Sequence, residues 1–190
     1  MSLPAVAAEV LDFWFGQATA PRAEWFRKDP AFDATIRQRF GPTIEQALAG
    51  GLVGWDASAP AMLAQVIVLD QFTRNAFRDA ARAFSGDPQA LSLARELVDR
   101  GWDRELTPLQ RWFAYLPFEH AEDIAMQQES LRLFDTLAQE HPALADAALW
   151  AHKHHEVIAR FGRYPHRNAL LGRESTPEEQ LYLQQPGSGF

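Results

Sequence analysis

Residues 58–75 read SAPAMLAQVIVLDQFTRN, and this stretch decides the fold. Ser58 is a typical helix-capping residue, and Pro60 suits the first turn of a helix. From Ala61 to Leu69 the chain is apolar on nearly every side, as in a helix that is buried over most of its surface. We therefore predict a central helix over residues 58–72. The side chains predicted to be inaccessible to solvent are Leu63, Val66, Ile67 and Leu69.

Helical signals continue on both sides of this central stretch. Apolar residues recur at helical spacing, and glycine and proline mark the ends of the segments. In the second segment, Gly41-Pro42 predicts a kink or a break. The other predicted helices cover about 4–15, 29–50, 87–101, 107–117, 119–140 and 142–161, and a short last helix begins at Thr176 with a capping box to Glu179.

The predicted fold class is all-α. No alternating apolar and polar run is bounded by hairpin turns, so we expect no strands. About seven or eight helices joined by short loops imply antiparallel neighbours. The length favours a single all-helical domain over residues 1–190.

The composition argues against several classes of protein. The net charge of −7 is unfavourable for binding nucleic acid or an anionic membrane. Because the chain has no cysteine, it has no disulfide, no thiol nucleophile and no cysteine-bound metal, which fits a reducing cytoplasm. Glu9 and Asp12 interrupt the first apolar stretch and argue against a signal peptide. We therefore expect a cytoplasmic protein.

The most basic part of the chain is the segment 152–173, which reads HKHHEVIARFGRYPHRNALLGR. It contains four of the six histidines and five Lys or Arg residues, and Glu156 is its one acid. Guanidinium groups suit carboxylates and phosphates, so the loop at 163–168 is a candidate anion site. The alternative is that these arginines only neutralise the acidic residues of the predicted helix 119–140.

The histidines raise the separate question of a metal. His152, His155 and Glu156 share one face of a helix. Neither Glu-x-x-His nor His-Glu-x-x-His occurs there, so we expect no native metal and no cofactor. Nucleophile-elbow and phosphate-loop motifs are also absent from the sequence.

A polar cluster follows the apolar part of the central helix. Asp70 and Arg74 are four residues apart, and Gln71 and Asn75 repeat that spacing. Polar groups at the end of a buried helix need partners, which are either a ligand or the surrounding loops. On the same ground we predict that residues 70–75, 119–123 and 163–168 converge, because each stretch is dense in groups that are costly to bury alone.

Five strings of the sequence together resemble one family. They are VLDFWFG at 10–16, LDQFTRN at 69–75, PFEHAED at 117–123, RFGRYPHRN at 160–168 and STPEE at 175–179. The chain is similar in these strings to the bacterial domain-of-unknown-function family nine-two-four. The resemblance implies antiparallel helix pairs in a tetratricopeptide-like right-handed superhelix, and it implies no activity. The family often has serine where this chain has Ala121.

The concave side of such an array is its usual binding surface, and three functions remain open. The first is a binding module with a polar pocket for a small phosphate or carboxylate ligand. The second is a small enzyme in which Glu119 and His120 act as acid and base on a charged substrate. The third is a scaffold that binds a peptide or a protein. The predicted ligand-binding residues are Gln71, Arg74, Glu119, His120, Arg163, His166, Arg167 and Asn168.

Overall fold

Helices make up the regular structure of the computed structural model, which describes residues 3–189. No strand occurs in that range, so the predicted all-α class is confirmed, with eight helices when the central one is counted as a single element. They are α1 Ala5–Trp14, α2 Pro30–Leu48, α3 at 59–76, α4 Asp87–Asp99, α5 Pro108–His120, α6 Ile124–Glu140, α7 Ala145–Phe161 and α8 Pro177–Leu183.

The described chain divides into two compact units. The first unit comprises the chain up to Arg78 together with Arg82–Pro117, and the second comprises Asp79–Ala81 together with the chain from Phe118 onward. The single domain over 1–190 and the tetratricopeptide-like superhelix stay predictions. None of the helices in residues 3–189 combines the length and the apolar character that crossing a membrane requires.

The central helix α3 lies in the first unit. It is α-helical over Ala59–Val66 and Thr73–Ala76, and it is a π-helix over Ile67–Phe72 between them. The predicted burial is confirmed, because the four side chains named above for α3 are each 0% exposed. The π segment was not predicted; such segments are rare and often occur at functional sites.

A glycine allows a close backbone approach to this π segment. A Cβ added to Gly86 would lie 2.1 Å from the carbonyl oxygen of Leu69, well inside van der Waals contact. Gly86 is the residue before α4, so its missing side chain brings the start of α4 against α3. The sequence therefore requires glycine at this position for packing and not for an unusual backbone conformation.

Aromatic rings fill the core of the first unit. Trp25 and Phe113 meet edge to face at 4.7 Å between ring centroids, and Phe40 and Phe72 lie 4.8 Å apart. Trp14 is fully buried and contacts Phe113 edge to face. Pairs of this kind add to the stabilisation that burial itself provides. These buried rings thus form part of the core of the first unit.

The second unit is organised by the pair α6 and α7, which pack against each other. His152 contacts Asp135, and Tyr164, which follows α7, contacts Gln127. Because residue numbers rise on one helix as they fall on the other, the pair is antiparallel, as predicted. Tyr164 packs with the end of α7 in a small apolar cluster, and α8 adds Tyr182 to it.

Two predictions based on proline have different outcomes. Helix α2 continues through Pro42, so the predicted break is absent, and the alternative of a kink stays a prediction. The predicted helix end at Pro117 was wrong, because α5 continues to His120. A proline removes one backbone hydrogen bond, and burial of the residues that follow outweighs this loss in α5, where Phe118 and Glu119 are 2% and 3% exposed.

The continuation of α5 past Pro117 changes where the acidic residues lie. Glu119 and His120 end α5 and do not begin the next helix. Helix α6 starts at Ile124, and the carboxylate of Asp123 caps it by accepting the amides of residues 125 and 126. Ser58, in contrast, occupies the N-cap of α3 without a side-chain capping bond.

Candidate functional site

The predicted ligand-binding residues fall in both units. Gln71 and Arg74 belong to the first unit. The second unit contains Glu119, His120, Arg163, His166, Arg167 and Asn168. The two groups are therefore described separately, and the convergence of 70–75 with the other stretches stays a prediction.

In the first unit the end of the central helix is held by acidic partners. Arg74 forms a bidentate pair with Asp87 at 2.8 and 3.0 Å. Its Nη1 also donates to the backbone oxygen and to a carboxylate oxygen of Asp70, at 2.7 and 3.0 Å. Gln71 Nε2 donates to the other carboxylate oxygen of Asp70. The predicted Asp70–Arg74 pair is thus present, and the cluster is satisfied by neighbouring side chains of the chain itself.

A second buried carboxylate, Asp33 of α2, also pairs with residues at the end of α3. Asp33 accepts hydrogen bonds from Asn75 Nδ2 at 2.8 Å and from Arg78 Nε at 2.6 Å. Burial acts to raise the pKa of Asp33, but the hydrogen bonds from Arg78 and Asn75 outweigh it and lower the pKa. These side chains fix α3 to α2 by pairing charges.

In the second unit the loop at 163–168 is also anchored by acidic residues. Arg163 forms a bidentate pair with Glu179 at 2.6 and 2.8 Å. Together with the Thr176 amide and Asn168, this pair lowers the pKa of Glu179 to about 2. The capping box between Thr176 and Glu179 is present as predicted, so one carboxylate both caps α8 and holds the loop.

A similar pair fixes the start of the loop to the turn between α5 and α6. Arg173 binds Glu122 at 2.6 and 2.9 Å, and the Tyr164 amide donates to the same carboxylate at 2.7 Å. Burial acts to raise the pKa of Glu122, but these bonds outweigh it and lower the pKa. The stretches 119–123 and 163–168 therefore converge, as predicted.

The hydroxyl of Tyr164 lies at the centre of the second unit. It donates to the backbone oxygen of Glu119 and lies 2.9 Å from Gln127 Nε2. The Gln127 amide also donates to the backbone oxygens of Glu119 and Ala121 at 2.7 and 2.8 Å. Burial raises the pKa of Tyr164 above its ordinary value, so the phenol stays protonated.

His154 is a further member of this cluster that the sequence analysis did not select. Its Nδ1 lies 2.9 Å from the Trp150 carbonyl and 3.2 Å from Glu119 Oε1. Burial lowers the pKa of His154 to about 3, so the ring is neutral and Nδ1 carries the proton that the carbonyl accepts. The available signal was its position: His154 belongs to the buried stripe of α7 that also includes Ala147, Ala151 and Ile158.

Two more predicted residues contact the same tyrosine, and a third contacts His154. The guanidinium of Arg167 lies 4.5 Å from the centroid of the Tyr164 ring, and the ring of His166 lies 5.5 Å from it. The ring of His120 lies 6.3 Å from that of His154. We call Glu119, His120, His154, Tyr164, His166 and Arg167 the tyrosine cluster.

The tyrosine cluster is mostly buried but reaches the surface at two side chains. Arg167 and Glu119 are 6% and 3% exposed, whereas His120 and His166 are partly exposed. The two pockets described for the molecule lie elsewhere. One, of about 310 Å³, is lined by residues of α7, α8 and the chain after α8, and the other, of about 460 Å³, lies on α4.

The histidines predicted not to bind metal, His152 and His155, flank His154 in the sequence, and His152 has a different partner. His152 is half exposed and lies 3.0 Å from Asp135. Among residues 3–189, no group of three or more His, Asp or Glu side chains is placed to hold a metal ion.

The internal pairing that we considered describes part of the basic segment. Arg160, Arg163 and Arg173 bind carboxylates. Glu122, the partner of Arg173, belongs to the acidic stretch 119–140 that we considered, whereas the partners of Arg160 and Arg163 are Glu178 and Glu179. His166 and Arg167 instead join the tyrosine cluster, so the segment contains both an anchored loop and a group of donors around one buried phenol. The anion site at 163–168 stays a prediction.

The chain belongs to a family of bacterial proteins of unknown function (DUF924), whose model matches residues 10–187. It is also similar to a solved structure of a protein of unknown function from Agrobacterium tumefaciens. The two are 42% identical, with a TM-score of 0.84, and the match covers 95% of this chain and 97% of the other. No curated protein matches the chain. The family resemblance predicted from the sequence is confirmed.

Proposed function

We propose that this protein is a cytoplasmic binding module that takes a small anionic molecule, bearing a phosphate or a carboxylate, at the tyrosine cluster. The donors in this proposal are His120, His166 and Arg167. Four other residues stay predicted ligand-binding residues, namely Gln71, Arg74, Arg163 and Asn168. The peptide-binding scaffold stays a third hypothesis for the function.

The observation that carries the proposal is the collection of titratable and cationic groups around Tyr164. Arg163 and Arg173 each have a carboxylate that accounts for their position in the fold. Arg167, His154 and His166 contact the Tyr164 ring, and His120 contacts His154. Clusters of buried ionisable groups are costly, and they occur preferentially at functional sites.

The chemistry of the donors supports an anion as the ligand. The planar guanidinium of Arg167 suits carboxylate and phosphate oxygens, and imidazole N–H groups add further donors. His120 and His166 are partly exposed, so a solute reaches them from the solvent side of the cluster. The chain as a whole is acidic, so attraction of an anion depends on this local group and not on the net charge.

A thermal denaturation experiment tests the proposal. Phosphate, sulfate and short carboxylates should raise the melting temperature of the wild type by mass action. The double variant His120→Gln, His166→Gln should lose that rise, while His152→Gln, on the exposed side of α7, should keep it. A panel in which no anion stabilises the wild type contradicts the proposal, and so does a rise that the double variant retains.

A second candidate function is favoured by the contact between Glu119 and His154. A carboxylate that orients a neutral imidazole through Nδ1 is a common arrangement in acid–base catalysis, and here the two atoms are 3.2 Å apart. The earlier hypothesis paired Glu119 with His120. The same panel of compounds distinguishes the two candidate functions. An enzyme converts the compound that stabilises it, whereas a binding module leaves that compound unchanged. NMR spectra of the compound, recorded over time in the presence of the protein, show which of the two occurs.

A further inference from the structure

In the side-chain amide of Gln127 the nitrogen has hydrogen-bond partners, whereas the oxygen has none within residues 3–189. Its Nε2 contacts the backbone oxygens of Glu119 and Ala121 and the Tyr164 hydroxyl, all within 2.9 Å. Its Oε1 is buried, and within residues 3–189 no donor of the chain reaches it. The side chain as a whole is 0% exposed.

The orientation of this amide is determined by its neighbours. Backbone oxygens only accept hydrogen bonds, so the end that faces the carbonyls of Glu119 and Ala121 must be the NH₂ group. Rotating the amide by half a turn would place Oε1 against two carbonyl oxygens. The buried acceptor is therefore a consequence of the fold around it.

An acceptor of this kind is costly to leave without a donor. A buried polar group without a partner loses about 1–3 kcal/mol, and native proteins contain few of them. On its other side the amide binds, through Nε2, the carbonyl of Ala121, a partly exposed residue of the turn between α5 and α6. It is also part of the proposed site, since its other contact is the phenol on which Arg167 stacks.

We infer that the ligand of the tyrosine cluster is a small anion that also carries a hydroxyl or ammonium donor, and that Gln127 Oε1 accepts from this donor. The inference rests on the proposed function. His120, His166 and Arg167 contact the negative group of the ligand. Gln127 Oε1 accepts a hydrogen bond from the donor group of the same molecule. A ligand with both groups satisfies the buried acceptor, whereas a simple anion leaves it unsatisfied.

Three matched compounds provide the test: propionate has no donor, lactate adds a hydroxyl, and alanine adds an ammonium group. Either lactate or alanine should bind the wild type about tenfold more tightly than propionate, which corresponds to about 1.4 kcal/mol and lies within the range for an unpaired buried acceptor. Which of the two binds more tightly identifies the donor. The side-chain amide resonances of Gln127 should shift with that compound and not with propionate.

A variant that removes only the acceptor sharpens the result. Gln127→Lys keeps donors for the two carbonyls and removes Oε1, so the preference over propionate should disappear while propionate binding persists. Ser130→Ala is the control, because Ser130 is also fully buried with an unbonded hydroxyl one turn further along α6. It should leave the preference unchanged.

The outcomes separate this inference from the proposed function. Equal binding of the three compounds overturns the inference and leaves the anion site standing. A preference for lactate or alanine without any shift of the Gln127 amide also overturns it. Absence of binding by these compounds and by phosphate overturns both. If Gln127→Lys does not fold, the amide resonances of the wild type decide alone.

Discussion

In the first unit the buried carboxylate of Asp33 receives hydrogen bonds from Asn75 and Arg78, whereas in the second unit the buried carboxylate of Glu119 lies beside the imidazole of His154. Both carboxylates have partners, but the partners differ in kind. A guanidinium keeps its charge at every physiological pH, whereas the imidazole of His154 is neutral there because burial lowers its pKa to about 3. The first carboxylate is therefore paired with a positive charge, and the second lies beside a neutral ring.

From this difference we infer that the arginine–carboxylate pairs stabilise the fold and that the tyrosine cluster binds a ligand. Arginine–carboxylate pairs hold α3 to α2 and α4 in the first unit, and they hold α8 and the loop at 163–168 in the second. The tyrosine cluster instead places a carboxylate of α5 beside a histidine of α7, close to one buried phenol. We therefore expect substitutions in the arginine pairs to change stability, and substitutions in the tyrosine cluster to change its response to pH and to ligands.

The largest expected effect is in the first unit. Arg78→Met removes the cationic partner of Asp33, which is 4% exposed, so the remaining carboxylate is buried with one amide donor. Breaking a buried pair in this way costs about 3–5 kcal/mol, and we expect the lower end because Arg78 is 28% exposed. Urea denaturation monitored by circular dichroism measures the free energy of unfolding.

The control for this prediction is an exposed pair in the same unit. Arg82 and Glu45 are each about half exposed, so Arg82→Met should cost less than about 1 kcal/mol. Similar losses from the two variants would show that burial of Asp33 does not set the energy of its ion pair, and the proposed contrast between the units would lose its basis.

The next expected effect is the pH dependence that His154 gives to the second unit. Burial lowers the pKa of His154 from 6.5 to about 3, so between these values the unfolded chain binds a proton that the folded chain does not. Stability should therefore fall as the pH falls from about 6.5, by at most about 1.4 kcal/mol per pH unit. His154→Gln should flatten this slope in a series of urea denaturations.

His152→Gln serves as the matched control on the same helix. Its side chain is 50% exposed, so its removal should leave the slope as in the wild type. An unchanged slope in His154→Gln would mean that burial does not keep this imidazole neutral, and the two units would then not differ in their response to protons.

Much of the fold was predictable because it depends on local patterns. The apolar residues of α3 predicted its burial, and Thr176 with Glu179 predicted the start of α8. The prediction from proline was wrong at position 117, since burial of the following residues outweighs one lost hydrogen bond. The π segment in α3 gave no recognisable signal, because a change in hydrogen-bond register leaves the hydrophobic pattern nearly unchanged.

The candidate site was predictable in its members but not in its partners. Glu119, His120, His166 and Arg167 stood out because polar groups at helix ends and loops next to apolar elements need partners. Their partner His154 did not, since it occupies a buried position that an apolar residue normally fills. The partner of Arg163 is Glu179, sixteen residues along the chain, and only the folded chain shows which of many acids an arginine reaches.

The smallest expected effect compares one helix cap from each unit. Thr176 accepts the Glu179 amide, and Glu179 returns a bond to the Thr176 amide. Thr176→Ala should therefore destabilise α8 by about 1 kcal/mol. Ser58 has the same position in α3 but makes no side-chain capping bond, so Ser58→Ala should cost less than about 0.5 kcal/mol.

Hydrogen exchange distinguishes where each effect occurs. Because α8 has only 7 residues and is fastened by Glu179, loss of its cap should speed exchange of the amides in Pro177–Leu183 and leave those of α3 protected. The bond from Arg163 to Glu179 persists in Thr176→Ala, so α8 should open more often without detaching. An equal loss of stability in Ser58→Ala would contradict this account, since it would mean that these two residues act through helix propensity and not through the capping bonds that only one of them makes.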